Sequence, residues 1–366
     1  MNKSETERLY TLGFSFIPSI GPKKFEMMEL FFDSLEHAWF ANKKTLLLSG
    51  IGERAANSII ENRQDISPKK ELNLLKKKKI FFITKNDTYF PVLLKEIHSP
   101  PFLLFYTGNV EILNKKIIAL VGPRLPSHYG KSVAIKFADE LSNAGIIIAS
   151  GMAQGIDSIA HRVCYENNRP TIAVLGCGIE NAKQKISDKK QIASIISNEG
   201  IVLSEYPPLT KSAKYTFPAR NRIVSGLSLG TIVAEAGERS GTLITARLSL
   251  EQNRELFVIP GNIFSKQSIG TNQLLKKGAM PTTCIEDIFT SLNFVYNSKK
   301  ENPSDCKSFT DKNEELIYKT LSLEPIHIDV LARKTNLAHS ELLSKLSILE
   351  LNSLVQNIGG GMFIKK

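Results

Sequence analysis

The sequence contains few of the residues that carry metal or disulfide chemistry. Its 366 residues include only four cysteines, Cys164, Cys177, Cys284 and Cys306. No two of them have the Cys-x-x-Cys spacing typical of metal-binding knuckles, and disulfide scaffolds are short chains dense in cysteine. The sequence therefore predicts neither a structural metal nor a disulfide framework, and it favours a reducing cytoplasm.

Long apolar runs are also missing. No apolar stretch approaches the roughly 20 residues that a membrane-spanning helix needs. Residues 1–8 mix charges where a secretory signal would place an apolar core. We therefore expect a cytoplasmic protein without a membrane partner.

Catalytic machinery is sparse as well. There is no phosphate-loop lysine, so ATP hydrolysis is not expected, and no histidine or paired carboxylate stands at a spacing that defines an active site. Asp157 follows a glycine turn and is predicted to be a helix cap or local hydrogen-bond acceptor. His161 is predicted to be a packed histidine rather than a ligand. Glu235 is the one residue that could act as an acid or base, and no cofactor is expected.

Positive charge, in contrast, is in excess. The chain has 47 Lys and Arg against 36 Asp and Glu, a formal net charge of +11, and a basic balance suits a polyanionic partner. Residues 206–234 contain no carboxylate, and within them Lys214, Arg220 and Arg222 surround Phe217. Cations for phosphates and a ring for base stacking are the chemistry of single-stranded nucleic acid binding. Taken alone, the run would favour a solvated helix start near a loop, but it does not stand alone.

The central part of the chain alternates short apolar runs with helical stretches. Runs of this length without polar alternation predict strands buried on both faces. The fold class is therefore α/β, a doubly wound parallel sheet of extended Rossmann-like type. The predicted strands lie at 117–121, 146–149, 171–175, 201–203, 231–234 and 256–259.

The remaining segments define the domain organisation. Residues 1–75 read as short helices, and the glycine turns at 18–24 and 48–55 resemble helix–hairpin–helix turns. Such turns can hold a phosphate at a helix start, although a plain helical-bundle turn remains the alternative. Residues 76–292 form the sheet domain, with entry strands in 76–109, and the polar stretch 293–312 is predicted to be a linker.

Residues 313–366 predict three helices followed by a hairpin with three glycines at its tip, which is a winged helix–turn–helix. The third helix of such a domain normally reads a DNA groove. Here it carries Glu341 and Glu350 against Lys345 alone. This balance favours partner binding or regulation at least as much as DNA binding.

Small residues follow the predicted strands at the edge where open α/β sheets bind ligands. Small side chains let backbone N–H groups approach an anion, and helix N-termini add positive potential. Each loop alone could be a sharp strand-to-helix turn, and neither has the full dinucleotide-binding fingerprint. Several phosphate-sized sites in a row favour a strand of nucleotides over one mononucleotide. The candidates are Gly122, Arg124 and Ser127, then Ser150, Gly151 and Gly155, then Ser240, Gly241 and Thr242.

The motifs resemble those of the DNA-processing protein A family of bacteria, also called Smf, in the same order along the chain. The most specific is Phe-Pro-x-Arg-Asn-Arg at 217–222, and the others are Val-Gly-Pro-Arg at 121–124, Ser-Gly-Met-Ala-Gln-Gly-Ile-Asp at 150–157 and Ser-Gly-Thr-Leu-Ile-Thr-Ala at 240–246. The resemblance implies a homodimer that binds single-stranded DNA and loads RecA recombinase on it in natural transformation. It also implies an N-terminal SAM-like domain and DNA contacts by Arg124, Lys214 and Phe217.

The hypothesis from the sequence is therefore a non-enzymatic single-strand binder with RecA recombinase as a partner. The alternative is an enzyme that cleaves nucleoside monophosphates at the sugar, a phosphoribohydrolase, with Glu235 beside the turn at 240–242. The predicted DNA-binding residues, in chain order, are Gly122, Arg124, Ser127, Ser150, Gly151, Gly155, Lys214, Phe217, Arg220, Asn221, Arg222, Ser240, Gly241 and Thr242.

Overall fold

The computed structural model describes residues 3–294, 311–322, 324–352 and 354–365. The chain divides into two compact units, residues 1–296 and 297–366. Most of the linker predicted over 293–312 lies outside the described residues. Within the described residues, no helix combines the length and apolar character needed to cross a membrane.

The first unit begins with six short helices whose starts follow local sequence signals. Ser34 and Asn42 cap two of them by accepting hydrogen bonds from His37 N and Thr45 N. Proline occupies the first turn of two others, where its missing N–H leaves no bond unmade. The helices are α1 (Lys3–Ser15), α2 (Pro22–Phe31), α3 (Leu35–Phe40), α4 (Lys43–Leu48), α5 (Glu53–Asn62) and α6 (Pro68–Lys77).

A nine-stranded sheet follows, in the order β1-β2-β6-β5-β4-β3-β7-β8-β9. The seven strands from β6 to β9 in this order are parallel to one another, whereas β2 pairs antiparallel with both β1 and β6. The strands are β1 (Phe81–Thr84), β2 (Leu103–Gly108), β3 (Ile117–Val121), β4 (Ile147–Ser150), β5 (Thr171–Leu175), β6 (Ile201–Ser204), β7 (Gly230–Val233), β8 (Glu255–Val258) and β9 (Met280–Pro281).

Helices cover both faces of this sheet, which confirms the predicted doubly wound architecture. Alternate residues of one strand enter different cores: Ile117 and Ala119 of β3 face one, and Ile118 faces the other. The helices are α7 (Val92–Lys95), α8 (His128–Asn143), α9 (Ile156–Glu166), α10 (Ile179–Ala182), α11 (Ile186–Ser197), α12 (Thr216–Gly226), α13 (Thr242–Glu251), α14 (Ile269–Lys276) and α15 (Ile285–Ser291).

The strand order fixes where a ligand can bind. The chain builds the sheet outward from β3 to β6 and then returns to the other side of β3 with β7. The connections leaving β3 and β7 therefore diverge, and the carboxyl ends of these strands border the crevice that open α/β sheets use for ligands.

Some short elements lack a clear sequence signal. The helix α13 begins only at Thr242, after a turn that contains Gly237 and Gly241. The strand β9 and the helix α7 were not foreseen. Both are too short to show a periodic pattern, so only their packing against β8 and α12 defines them.

The N-terminal helices share a hydrophobic core with the sheet. The ring of Phe25 in α2 stacks on Phe102, just before β2, with centroids 4.0 Å apart. Phe14, Trp39 and Phe105 are buried in the same cluster. The domain boundary that the sequence places near residue 75 therefore stays a prediction, because one core crosses it.

The described residues of the second unit form three helices and a three-stranded antiparallel sheet in the order β10-β12-β11. The hairpin between its last two strands turns through Gly359, Gly360 and Gly361, which all have positive φ values. The predicted winged helix is thus confirmed. Its elements are α16 (Lys312–Thr320), β10 (Ile326–His327), α17 (Ile328–Thr335), α18 (His339–Leu351), β11 (Val355–Gly359) and β12 (Met362–Lys365).

We predict that Phe25→Ala lowers the free energy of unfolding of the whole first unit by about 3–5 kcal/mol, because it removes a fully buried ring. Leu30→Ala on the same helix is the matched control, since Leu30 is 83% exposed, and it should change stability by about 0.5 kcal/mol or less. Urea unfolding followed by far-UV circular dichroism measures both. A separate early transition confined to α1–α6 would contradict the shared core.

Candidate nucleic-acid interface

One open cavity of 640 Å³ lies at the carboxyl ends of the central strands. Its walls come from the segments after β3 and β4 and from the first turns of α12 and α13. Most of the predicted site residues line it, namely Gly122, Arg124, Gly151, Lys214, Phe217, Arg220, Asn221, Ser240, Gly241 and Thr242. Ser127, Ser150, Gly155 and Arg222 do not.

An exposed cation pair and an aromatic ring meet at this cavity. Arg124 and Lys214 are exposed, and neither takes part in an ion pair described for residues 3–294. Phe217 is half-buried in the first turn of α12, and the Arg124 guanidinium lies 5.3 Å from its ring centroid. A Cβ at Gly176 would lie 3.1 Å from the ring, so glycine there leaves the ring its space. These three side chains give the cavity an aromatic surface beside positive charge.

Asp157 is the only carboxylate among the lining residues of the described chain. It is buried, and its Oδ2 accepts hydrogen bonds from Gly151 N at 3.2 Å and Ala153 N at 3.4 Å. Burial raises its pKa, and the nearby Arg220 charge opposes that rise. The interpretation of Asp157 as a local acceptor is confirmed, and the exposed charge of the cavity wall is positive.

Arg220 corrects the sequence prediction. Only 3% of it is exposed, and its guanidinium donates hydrogen bonds to Gly151 O and Val174 O. Its Nε donates to Asn221 Oδ1 at 3.1 Å. The predicted phosphate contact is therefore wrong, because the guanidinium is occupied inside the protein, where it holds α12 against the ends of β4 and β5.

Arg222 is a second correction. Its Nη2 lies 2.5 Å from Glu205 Oε1, and both side chains are largely buried. Burial raises the pKa of Glu205, while the Arg222 charge lowers it. The predicted phosphate contact is wrong here as well, since Arg222 joins α12 to the end of β6. Glu205 stands directly before the carboxylate-free stretch, so counting charges within that stretch hid the pair.

The glycine loop after β4 is a structural turn rather than the predicted phosphate cradle. Ser150 is fully buried and its Oγ donates to Leu120 O at 2.7 Å, while Gly151 N is already bonded to Asp157. Gly155 has φ of 88°, and a Cβ there would lie 2.3 Å from Pro123 O. This glycine lets the start of α9 pack on the segment that carries Arg124.

The carboxylate of Glu235 also has hydrogen-bond partners inside the protein. Glu235 is 2% exposed, and its two carboxylate oxygens accept from Ser127 Oγ at 2.5 Å and Ser127 N at 2.9 Å. Ser127 in turn caps α8 by accepting from Gly130 N. The predicted anion contact by Ser127 is therefore wrong, and the acid or base that the alternative enzyme needs is a buried acceptor holding two elements together.

The loop at 240–242 remains open to the cavity. Gly241 is exposed, and no atom lies within 4 Å of a Cβ built on it. Ser240 Oγ accepts from Thr242 N at 3.2 Å, which shapes the first turn of α13. The positive end of this ten-residue helix therefore faces the cavity. Anion binding at Ser240, Gly241 and Thr242 stays a prediction.

Several lining residues were not singled out from the sequence, namely Ser212, Ala213, Pro218, Ile244 and Thr245. Three of them lie within four residues of Lys214, so a search for neighbours of the cationic run would have found them. Ile244 and Thr245 lie in the first turn of α13, and only the packing of this helix beside α12 brings them to the site. His161, in contrast, is buried as predicted, with Nδ1 2.8 Å from Thr171 Oγ1 and its pKa lowered to about 3 by burial.

The winged helix offers little positive charge on its third helix. Lys345 is the only lysine or arginine of α18, and it forms ion pairs with Asp311 and Glu314. Glu341 and Glu350 are exposed. The contacts support a partner-binding or regulatory role for this unit over phosphate contact, and that role stays a prediction.

We predict that Arg220→Met lowers the free energy of unfolding by about 3–5 kcal/mol, because it leaves Asp157 and two carbonyl oxygens buried without their cation. Arg124→Met is the matched control, and it should cost about 0.5 kcal/mol or less, since Arg124 is exposed. Urea titrations of both variants, with Arg220→Met/Asp157→Asn to measure the coupling, test this. Wild-type stability in Arg220→Met would contradict an internal role for the guanidinium.

The comparisons with known proteins agree with this architecture. A family model described as DNA recombination-mediator protein A matches residues 81–293, and a DprA winged helix domain model matches residues 301–361. Protein Smf of Synechocystis is 34% identical over 297 residues, which cover 80% of this chain and 74% of that protein. Protein Smf of Escherichia coli is 34% identical over 76% of each chain.

Two solved structures are similar as well. The X-ray structure of DNA processing protein A from Streptococcus pneumoniae has a TM-score of 0.66 and 34% identity, and the match covers 80% of this chain and 98% of that one. A structure described as showing the single-stranded DNA binding mode of DNA processing protein A from Helicobacter pylori has a TM-score of 0.51 and 31% identity, covering 58% and 95% of the two chains. With a family model spanning more than half of its residues, this chain belongs to the family of DNA recombination-mediator protein A.

Proposed function

We propose that the cavity binds single-stranded DNA and that the chain uses this binding to act as a recombination mediator. The observation that carries the proposal is the convergence of Arg124, Lys214 and Phe217 on one open cavity whose only lining carboxylate is buried. A cationic groove with a stacking ring suits an unpaired strand, because every base has a face that can stack. The Helicobacter pylori relative, described as binding single-stranded DNA, supports the same assignment.

The residues divide into two roles. Arg124 and Lys214 pair with phosphates, Arg124 through two parallel N–H groups, and Phe217 stacks a base. The start of α13 adds backbone N–H groups and the positive end of the helix dipole. Arg220 and Arg222 act indirectly. Their internal bonds hold α12 in place, and α12 carries Phe217.

We propose a non-enzymatic role without a cofactor. The nucleotide-cleaving alternative depended on Glu235, and both oxygens of that carboxylate accept hydrogen bonds from Ser127. An acid or base needs a free oxygen within reach of the substrate. No observation on the described residues favours the enzyme, so binding remains the function that the site supports best.

We predict that Phe217→Ala weakens binding of a dT oligomer about tenfold or more, since stacking contributes roughly 1–3 kcal/mol per base. Tyr215→Ala is the matched control, because Tyr215 is 76% exposed and lies two residues away, outside the cavity lining. Fluorescence anisotropy titrations at fixed salt measure both. Equal affinities for wild type and Phe217→Ala would remove the stacking role.

The family also leads us to propose that the chain loads RecA recombinase on the bound strand in natural transformation, as a cytoplasmic homodimer. Loading requires the strand and the recombinase to be held together. We predict that immobilised protein retains more recombinase when dT oligomer is present, and that Arg124→Ala/Lys214→Ala abolishes this increase while leaving stability unchanged. Retention that is identical with and without DNA would count against coupled loading.

A further inference from the structure

A second groove, of 630 Å³, adjoins the cavity and shares Arg124 with it. It lies between three helices of one face of the sheet, and each contributes a cation: Lys131 from α8, Arg162 from α9 and Lys190 from α11. No carboxylate appears among its lining residues in the described chain. A surface on which four positive side chains converge from separate elements, with no acid among its lining residues, attracts a polyanion.

The cations of this groove are available to a ligand. Lys131 and Lys190 are exposed, and neither takes part in an ion pair described for residues 3–294. Arg162 is paired only loosely, with its Nε 4.0 Å from Glu166 Oε2, and half of its side chain is exposed. Exposed pairs of this kind contribute little, so a phosphate can replace Glu166. The guanidinium groups of Arg220 and Arg222, in contrast, have close internal partners and are not available in this way.

The uncharged residues of the groove suit a sugar–phosphate backbone. Gln191 and Ser194 line it between the cations, and hydroxyl and amide groups commonly donate to phosphate and sugar oxygens. Ser158 and Ser187 also line it, and their hydroxyl groups donate to Ala153 O and Asp188 Oδ1. Tyr165 is half-buried in the groove wall and adds an aromatic surface.

We propose that this groove, lined by Lys131, Arg162 and Lys190, binds the sugar–phosphate backbone of the DNA strand that occupies the cavity. The strand leaves the cavity at Arg124 and continues into the groove. The inference rests on the proposed function and extends it, because it assigns a second binding site and a path over the α8–α9–α11 face. Arg124 is the point at which the two sites join. The cavity orients a few nucleotides through Phe217, and the groove adds affinity only for strands long enough to reach it.

The test compares two oligomer lengths, about 4 and about 20 nucleotides, which bracket the site sizes of single-strand binding folds. The groove variant is Lys131→Gln/Arg162→Gln/Lys190→Gln, in which glutamine keeps helix propensity. The charge-matched control is Lys69→Gln/Lys70→Gln/Lys76→Gln, three exposed lysines of α6 that line neither site. Each protein is titrated with both oligomers across a series of salt concentrations, after thermal unfolding shows equal stability.

The expected result is a loss that depends on length. With the long oligomer, the slope of log affinity against log salt should become shallower by about 2 in the groove variant, because each lost phosphate contact removes about 0.7. Between 50 and 200 mM salt, the affinity for the long oligomer falls in both proteins. The fold-loss of wild type should be about 20 times larger than the fold-loss of the groove variant. The short oligomer should bind wild type and groove variant alike.

Other outcomes overturn the inference in distinguishable ways. If the groove variant binds the long oligomer as wild type does while Phe217→Ala weakens it, the cavity binds DNA and the groove does not. If the control on α6 loses as much affinity and slope as the groove variant, the effect is one of net charge, and the groove is not a site. If wild type binds neither oligomer, the proposed function fails together with the inference.

Discussion

The site depends on one buried cation. The Arg220 guanidinium lies where the ends of β4 and β5 meet α12, and it satisfies the carbonyl oxygens of Gly151 and Val174 beside the buried Asp157. A charge in such a place is tolerated only when hydrogen bonds and a counter-charge replace water. Because these partners fix the angle of α12, they also fix Phe217 and bring it against Arg124. The exposed cation and ring of the site thus depend on a buried cation that is bonded within the protein.

The predicted site residues therefore include two kinds of arginine. Arg124 is exposed beside the ring, whereas Arg220 and Arg222 are bonded within the protein. Composition and local charge counts treat all three alike, because they see neither the carbonyl groups of a neighbouring strand nor a carboxylate just outside the window. Glu205, next to residue 206, and Asp157, far away in sequence, are the partners that distinguish them. Only tertiary structure supplies this information.

More of the fold than of the site could be predicted from the sequence. Strands buried on both faces, such as β3 and β5, show as unbroken apolar runs, and their alternation with helices predicts the doubly wound sheet. The three glycines at the tip of the last hairpin likewise indicated the wing. Elements without a pattern of their own, such as β9 and α7, could not be found. At the site, the exposed Lys214 and the half-buried Phe217 lie at the cavity as the sequence suggested, whereas Ser127 and Ser150 bond within the turns that build it.

The distribution of internal bonds also separates the two candidate functions. Catalysis at this edge would need a carboxylate with a free oxygen, yet Glu235 holds the cap of α8 and Asp157 holds the turn after β4. Binding a flexible polyanion needs only exposed donors and a ring, and Arg124 and Lys214 take part in no ion pair described for residues 3–294. Buried acidic side chains beside exposed cationic side chains at one edge of the sheet favour binding of a DNA strand over catalysis on it. In this chain, the acids that could act on a nucleotide instead support the turns and helices that carry the cations.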